Sequence, residues 1–324
     1  MKQQQWRIQT WEELPHAWNG DSREPIIIIG DDDGNRYGLY FPSLLQNMEI
    51  AFILGITAAI AVAVAAMLYI LIVSKGKHDT TLAYLLGYGI FLPFWVLTPM
   101  YLIETLGITN TVFRFVIGTI PTVTFFRTLE VMYGYYPACA TQSLPKFALY
   151  YASLFPVRVD EKGNDYVKAT SSAIQTNFYL YLRGNILTGG LHSLYLAYPD
   201  IFIDFGVPLT ALEKANRYSI ATIFQWRTLW HNLCFAFFFK TYMQTCGYGL
   251  QLMTILITGR QLEEMWIDPL SGSISFSDFW SRRWNQAVHR TLKRGVFLPV
   301  RRYAPKYVAI LATFLASGIF HEWL

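Results

Sequence analysis

Residues 50–73 read IAFILGITAAIAVAVAAMLYILIV and contain no charged side chain. A helix needs about 20 consecutive apolar residues to cross the hydrocarbon core of a bilayer, so this stretch predicts a transmembrane helix. Lys75 and Lys77 follow it directly, whereas Glu49 precedes it. The positive-inside rule therefore predicts that the loop at 74–81 lies in the cytosol.

The composition of the whole chain is also that of a membrane protein. Of its 324 residues, 53% are hydrophobic and only 15% are charged, and the mean hydropathy is +0.27. Soluble domains contain about a quarter charged residues. The aromatic fraction of 17% fits as well, because Trp and Tyr collect at membrane interfaces. The three cysteines, with no CxxC pair, support neither a disulfide framework nor a zinc site.

Further hydrophobic stretches predict further membrane segments. Thr81–Leu102 is a predicted second span and Thr111–Phe126 a predicted third. Residues 171–198 mix glycine and charge with apolar side chains, which favours a re-entrant or interfacial helix. Between the third span and this helix, Val157–Lys168 (VRVDEKGNDYVK) is predicted to be a surface loop.

The C-terminal half leaves one alternative open. Tyr218–Thr258 predicts either one long tilted helix or two helices broken near Gly247 and Gly249. Tyr307–Phe320 is apolar but short, so we expect this span to continue in a longer protein. No cleavable signal peptide is expected at the N-terminus.

Ser275–Val300, SFSDFWSRRWNQAVHRTLKRGVFLPV, has the pattern of a basic amphipathic helix. Ser275 followed by Asp278 predicts an N-terminal cap, and Gly295 predicts the helix end. At a helical period, one apolar stripe is formed by Phe276, Trp280, Trp284, Ala287, Val288 and Leu292.

Two polar residues in apolar surroundings are candidates for chemistry. His321 follows a long apolar run, and ionisable residues at membrane depth are often functional. Its neutral imidazole is suited to a general base, although the ring could also simply meet water where the span ends. Asn285 could donate to a developing oxyanion, or it could cap a neighbouring helix.

Cations crowd this part of the chain. Between Arg282 and Lys306 there are eight Lys and Arg residues and no acid. They could anchor the chain to anionic lipid or bind a phosphate-bearing ligand. The chain has no GxSxG elbow, no phosphate-binding GxxxxGK[ST] loop and no HExxH motif, so we predict no serine hydrolase site and no metal site.

Taken in order, three motifs resemble a known family. Trp266–Leu270 (WIDPL), then FWSRRWN at 279–285 with its basic, proline-terminated continuation, then SGIFHEW at 317–323 are similar to the wax-synthase branch of the membrane-bound O-acyltransferase superfamily. The motifs occupy roughly residues 260–324, while the N-terminal spans match only in general character.

The resemblance implies an all-α fold, a polytopic transmembrane helical bundle of that superfamily, which we expect to be truncated at the C-terminus. It implies transfer of a fatty acyl group from acyl-CoA to a lipid hydroxyl, with His321 as general base and Asn285 as its polar partner. No bound cofactor is expected, since acyl-CoA is a co-substrate. The residues expected to bind acyl-CoA are Arg282, Arg283, Trp284, His289, Arg290, Lys293 and Arg294.

The implied organisation has four parts. Residues 1–49 form a polar N-terminal region, 50–126 the N-terminal transmembrane helices, 127–217 a loop and interfacial or re-entrant region, and 218–324 an incomplete acyltransferase core. The expected partners are acyl-CoA, a lipid alcohol and membrane lipids, without nucleic acid and with a possible homo-oligomer. The expected location is the endoplasmic reticulum membrane.

Several readings of function stay open at this point. The favoured acceptor is a long-chain alcohol, which would make a wax ester, but a sterol or a diacylglycerol is also compatible with the motifs. A truncated member that binds lipid or acyl-CoA without turnover is a second reading. A transporter or channel is a third, although the sequence has no inverted repeat.

Overall fold

The structure, a computed structural model, describes residues 6–8, 27–30, 36–39, 44–105, 111–197 and 226–323, apart from 268, 270 and 271. The described residues are mostly helical, but three short strands depart from the predicted all-α fold. A small antiparallel sheet, in the order β1-β2-β3, consists of β1 (Trp6–Ile8), β2 (Ile27–Gly30) and β3 (Arg36–Leu39). The helices are α1 (Leu44–Leu68), α2 (Thr81–Leu86), α3 (Leu92–Thr105), α4 (Thr111–Met132), α5 (Leu144–Ala152), α6 (Ser171–Ala197), α7 (Trp226–Thr258), α8 (Phe276–Asp278), α9 (Gln286–Leu292), α10 (Leu298–Tyr303) and α11 (Lys306–Trp323).

The first two predicted spans are helical throughout. Helix α1 continues without a break through a π-helical turn at Tyr69–Val73. Helices α2 and α3 are joined in the same way by a π-helical turn at Gly87–Phe91. Both continuous helices, Ala51–Val73 and Thr81–Thr105, are long and apolar enough to cross a membrane by length and composition. Many large apolar side chains on both helices are exposed, as expected of a surface that faces lipid.

Helix α4 is longer than the sequence predicts. The predicted span ends at Phe126, yet the helix continues to Met132. Arg127 and Glu130 lie in this extension and are both buried. The charges that suggest an end to the span therefore belong to a protein interior and not to a surface loop.

By their contacts, the described residues fall into two compact units. One contains the three strands, α6 from Gln175 onward and α7 up to Leu252. The other contains α1 to α5 and the chain up to Ile174, together with Met253 onward.

In the first unit, α6 and α7 pack closely at small residues. A Cβ atom on Gly184 would lie 2.6 Å from the Thr245 hydroxyl, and one on Gly249 would lie 2.7 Å from the Tyr181 ring. The Thr188 and Thr245 hydroxyls are hydrogen-bonded at 3.0 Å. Small residues and interhelical hydroxyl bonds are typical of packed membrane helices. Helix α7 passes its glycines without a break, which favours the one-helix alternative.

The core of the second unit is a buried polar network among aromatic rings. The Trp95 indole N–H donates to the Tyr151 hydroxyl at 2.9 Å, and that hydroxyl is 2.7 Å from the Thr128 hydroxyl. Arg127 donates from Nη1 to the carbonyl oxygens of Tyr151, at 2.9 Å, and of Ser153. Helices α3, α4 and α5 are thus joined by hydrogen bonds that satisfy otherwise costly buried groups.

Val157–Lys168 is more than the surface loop that the sequence predicts. Isolated β-bridges pair Val157 with Leu262 and Lys168 with Arg260. The Arg158 N–H donates to the Gln261 carbonyl at 2.9 Å. The charged turn at its tip is exposed, but Val157 and Tyr166 are buried. Alternation of apolar and polar residues in a short segment signals such pairing.

Asp79 connects the first inter-span loop to the C-terminal part of the chain. Its N–H donates to the Met132 carbonyl at 2.8 Å, and its carboxylate accepts from the Tyr84 hydroxyl at 2.8 Å. The same carboxylate forms an ion pair with Arg302 in α10. The loop at 74–81 and the basic segment therefore lie side by side.

Candidate functional site

Ser275–Val300, called the motif segment below, is not the single amphipathic helix that its periodicity predicts. Ser275 does cap it, since its hydroxyl accepts from the Asp278 N–H at 3.0 Å. A π-helical turn at 279–283 follows α8, after which the helix breaks at Trp284 and Asn285. Helix α9 then begins at Gln286.

Asn285 causes this break. Its φ of 35° is left-handed, a conformation that asparagine tolerates better than most residues. Its Oδ1 atom accepts a hydrogen bond from the Val288 N–H at 3.2 Å, so the side chain caps α9. The capping alternative is therefore realised, and the Nδ2 atom of the amide carries the donors that an oxyanion would need.

The predicted apolar stripe is divided by the same break. Phe276 is 86% exposed and Trp280 is 55% exposed, whereas Leu292 is buried. The periodicity is correct for α9 but does not continue into α8. One left-handed residue changes the direction of the helix, so the two halves of the stripe no longer share a face. A hydrophobic period does not contain this information.

Residues 265–267 hold the turn at Asn285 in place. The Gln286 N–H donates to the Met265 carbonyl at 2.9 Å, and the Ile267 N–H donates to the Arg283 carbonyl at 3.1 Å. The Trp266 ring meets the Trp284 ring edge-on, with centroids 4.9 Å apart. Trp284 also stacks on Phe279, with ring centroids 5.4 Å apart. Residues 265–267 and the FWSRRWN motif thus form one substructure.

Gly295 does not end the helix, contrary to the sequence prediction. It is buried in a π-helical turn at 293–297 that leads into α10. A Cβ atom there would lie 3.0 Å from the Phe126 carbonyl oxygen of α4. Glycine is needed at this position for close helix contact and not for chain reversal.

The predicted acyl-CoA ligands fall into different environments. Arg283 forms an ion pair with Asp278 at 2.7 Å and donates to the Ile267 carbonyl at 3.2 Å, so it supports the fold of the turn. Arg290 forms an ion pair with Glu263. Arg282 and Lys293 are exposed cations. Partial burial and the neighbouring Lys293 lower the pKa of His289, which favours its neutral form.

Helix α11, which carries residue 321, contacts α9, α10 and the π-helical turn at 293–297. The helix with the predicted base therefore packs against the helix that Asn285 caps. The side chain of His321 lies outside the described residues.

A small charged cavity, which sequence reasoning missed, lies beside the motif segment. Its volume is about 70 Å³, and its lining includes Arg127, Glu130, Tyr150, Arg290 and Arg294. The Tyr150 hydroxyl donates to the Glu130 carboxylate at 2.5 Å. Burial raises the pKa of Glu130 to about 7, against the lowering effects of Tyr150, Arg294 and Arg127.

One sequence signal could have indicated this cavity. Arg127 and Glu130 are three residues apart directly after an apolar helix, a spacing that puts them on one helical face. Their partners come from α5 and from the motif segment, and that pairing is set by tertiary packing.

Comparison with known proteins shows a family to which the C-terminal segment is similar. Residues 264–324, about a fifth of the chain, match the sequence model of the family described as "Membrane bound O-acyl transferase family". This confirms the resemblance predicted from the motifs. No solved structure matches the chain significantly.

Similar curated proteins come from plants. "Probable long-chain-alcohol O-fatty-acyltransferase 2" of Arabidopsis thaliana is 28% identical over 153 residues, which cover 37% of this chain and 44% of that protein. "Probable long-chain-alcohol O-fatty-acyltransferase 7" is 35% identical over 81 residues, 22% of this chain and 24% of that protein. "Diacylglycerol O-acyltransferase 1", also from Arabidopsis thaliana, is 31% identical over 117 residues, 35% of this chain and 19% of that protein. The aligned part of this chain thus spans less than half the length of these relatives.

Proposed function

We propose that this chain transfers a fatty acyl group from acyl-CoA to the hydroxyl of a long-chain alcohol and so forms a wax ester. The observation that carries the proposal lies in the described residues of the family-matched segment. There, Asn285 caps α9 from a left-handed turn, and α9 contacts the helix that carries residue 321. Polar residues held in sparsely populated backbone conformations often mark functional sites.

The proposed chemistry needs only two side chains, because a thioester is already activated. Neutral His321 takes the proton from the alcohol as its oxygen attacks the thioester carbonyl carbon. The Nδ2 donors of Asn285 stabilise the negative charge that develops on the carbonyl oxygen. When the tetrahedral intermediate collapses, the carbon–sulfur bond breaks, the ester is released, and the CoA thiolate takes the proton back from the imidazolium.

The cations of the motif segment would hold the CoA phosphates. Arg282 and Lys293 are the exposed candidates, and Arg294 lies at the charged cavity, where Arg290 is already paired with Glu263. Arginine and lysine at close range bind phosphate oxygens through charge-assisted hydrogen bonds. We propose no such role for Arg283, since Asp278 already neutralises it.

The proposed setting is a polytopic bundle in the membrane of the endoplasmic reticulum. The two long apolar helices and the exposed apolar side chains on them support membrane insertion. Within a bilayer, an apolar alcohol can arrive laterally, while water, the competing nucleophile, is kept from the thioester.

The test measures ester formation by the full chain in membranes of a host without wax-ester activity. Labelled palmitoyl-CoA is offered with hexadecanol, cholesterol or diacylglycerol. We expect labelled wax ester above the level in host membranes without the chain. If only triacylglycerol or only sterol ester forms, the acceptor is diacylglycerol or cholesterol and not a long-chain alcohol. Absence of ester formation with all three acceptors would contradict the proposed activity.

A diacylglycerol acceptor is the second candidate. The similarity to a plant protein named diacylglycerol O-acyltransferase supports it, with a shorter aligned share of that protein than for the alcohol enzymes. The same assay separates the two acceptors in a single experiment.

A further inference from the structure

Two buried hydrogen-bond donors beside the Asn285 turn have no acceptor among the described residues. They are the indole Nε1 of Trp266 and the carboxamide Nε2 of Gln286. Trp266 is 8% exposed and Gln286 is 7% exposed, so water does not readily satisfy either of them. A buried donor without a partner costs about 1–3 kcal/mol, and most buried polar groups in native proteins are paired.

Both donors belong to residues that hydrogen bonds and a ring contact hold next to Asn285 in the structure. Gln286 follows Asn285 directly, and its backbone N–H is bonded to the Met265 carbonyl at 2.9 Å. Trp266 lies between Met265 and Ile267, the two residues whose backbone is bonded to the motif segment. Its ring contacts Trp284, which precedes Asn285. Two unpaired donors therefore flank the residue proposed to stabilise the oxyanion.

We infer that Trp266 and Gln286 donate hydrogen bonds, together with Asn285, to the carbonyl oxygen of the acyl thioester. This inference rests on the proposed function and names two further substrate-contacting residues for it. A carbonyl oxygen suits these donors, because an indole N–H and a carboxamide N–H both donate hydrogen bonds to it. Several fixed donors around one developing oxyanion are the usual arrangement in acyl transfer.

The ligand-free protein should tolerate loss of these donors. Gln286→Met keeps the length of the side chain and removes its amide. Because replacing an unpaired buried polar group by an apolar one is nearly neutral or stabilising, we expect the melting temperature of the ligand-free protein to stay the same or rise. A clear fall would mean that the amide is already paired inside the protein, which would overturn the inference.

The binding test compares two ligands that differ only at the carbonyl. Palmitoyl-CoA has the thioester oxygen, whereas S-hexadecyl-CoA, a thioether, has none. Their affinities are measured for the purified full chain in detergent, without alcohol, so that no ester can form. Trp266→Phe and Gln286→Met should each weaken palmitoyl-CoA binding about five- to tenfold, the loss of one neutral hydrogen bond. Binding of the thioether should not change.

The control variant is Trp280→Phe. Trp280 is in the same motif and also contacts Trp284, but it is exposed. It should leave the binding of both ligands unchanged.

The outcomes distinguish failure of the inference on Trp266 and Gln286 from failure of the proposed function. If Trp266→Phe and Gln286→Met weaken the binding of both ligands equally, or of neither ligand, the inference fails and the proposed function stands. If the wild-type chain binds neither CoA ligand, the proposed function fails, and the inference fails with it.

Discussion

The side-chain oxygen of Asn285 accepts a hydrogen bond from the backbone N–H of Val288 at 3.2 Å. One side chain therefore has two functions in our account, a structural one at Oδ1 and a proposed chemical one at Nδ2. Aspartate keeps an acceptor oxygen for the cap and has no N–H donors, so it separates the two functions.

Asn285→Asp should fold normally and lose activity. We expect a melting temperature within about 2 °C of the wild type, because aspartate is as good a cap as asparagine. Ester formation should fall about 100-fold or more, the usual effect of losing an oxyanion donor. Asn285→Ala, which loses the cap and strains the left-handed backbone, should be destabilised by about 1–2 kcal/mol. Full activity in the aspartate variant would exclude the oxyanion role.

His321→Ala should reduce turnover about 100- to 10,000-fold, the range for a lost general base. The KM for acyl-CoA should change little, since the proposed base acts on the alcohol. The matched control is His78→Ala, which removes an exposed histidine outside the motifs and should leave turnover intact. Unchanged turnover in the His321 variant would disprove its assignment as the base.

Gly295→Ala should destabilise the fold by about 1–3 kcal/mol, because its Cβ atom would lie 3.0 Å from the Phe126 carbonyl oxygen. Chemical denaturation in detergent measures this loss. Gly55→Ala is the control, since a Cβ atom there meets no atom within 4 Å. That control should be neutral or slightly stabilising in a helix. Equal effects at both sites would argue against the close contact of α4 with the motif segment.

Glu130 should make stability depend on pH. Its pKa is raised from 4.5 in the unfolded chain to about 7 in the folded protein. The folded state therefore holds the proton more tightly, so the stabilisation is complete below about pH 4.5 and is lost as the pH rises through 7. The total loss is at most about 3 kcal/mol.

Glu130→Gln should remove this dependence, because an amide does not ionise. The free energy of unfolding, measured from pH 5 to 8, should fall less steeply in this variant than in the wild type. Glu161→Gln, in an exposed turn, is the control and should follow the wild-type curve. Parallel curves for wild type and Glu130→Gln would contradict the buried state of that carboxyl.

The sequence predicts the helices well where hydrophobicity alone decides them. The first two spans have almost the predicted bounds, because a bilayer-length apolar run has no other low-energy state in lipid. The cap at Ser275 is equally local, since it needs only the Asp278 N–H three residues away. Such features depend on neighbours in the chain.

The errors arise where one distant contact overrides a local pattern. A glycine such as Gly295 usually marks a helix end, but here it is needed because the Phe126 backbone lies too close for a larger side chain. The charges at Arg127 and Glu130 suggest the end of a span, but α5 and the motif segment bury them. At Asn285, a single left-handed residue divides a regular period, and no hydrophobic pattern contains that information.

The ion pair between Asp79 and Arg302 has a consequence for the route of the substrates. It holds the loop at 74–81, with Lys75 and Lys77, beside α10. In the proposed topology, both lie at the cytosolic face of the membrane. The nucleotide end of the donor would then approach from cytosolic water and the alcohol from within the hydrocarbon layer, so the two substrates would meet without sharing an entrance.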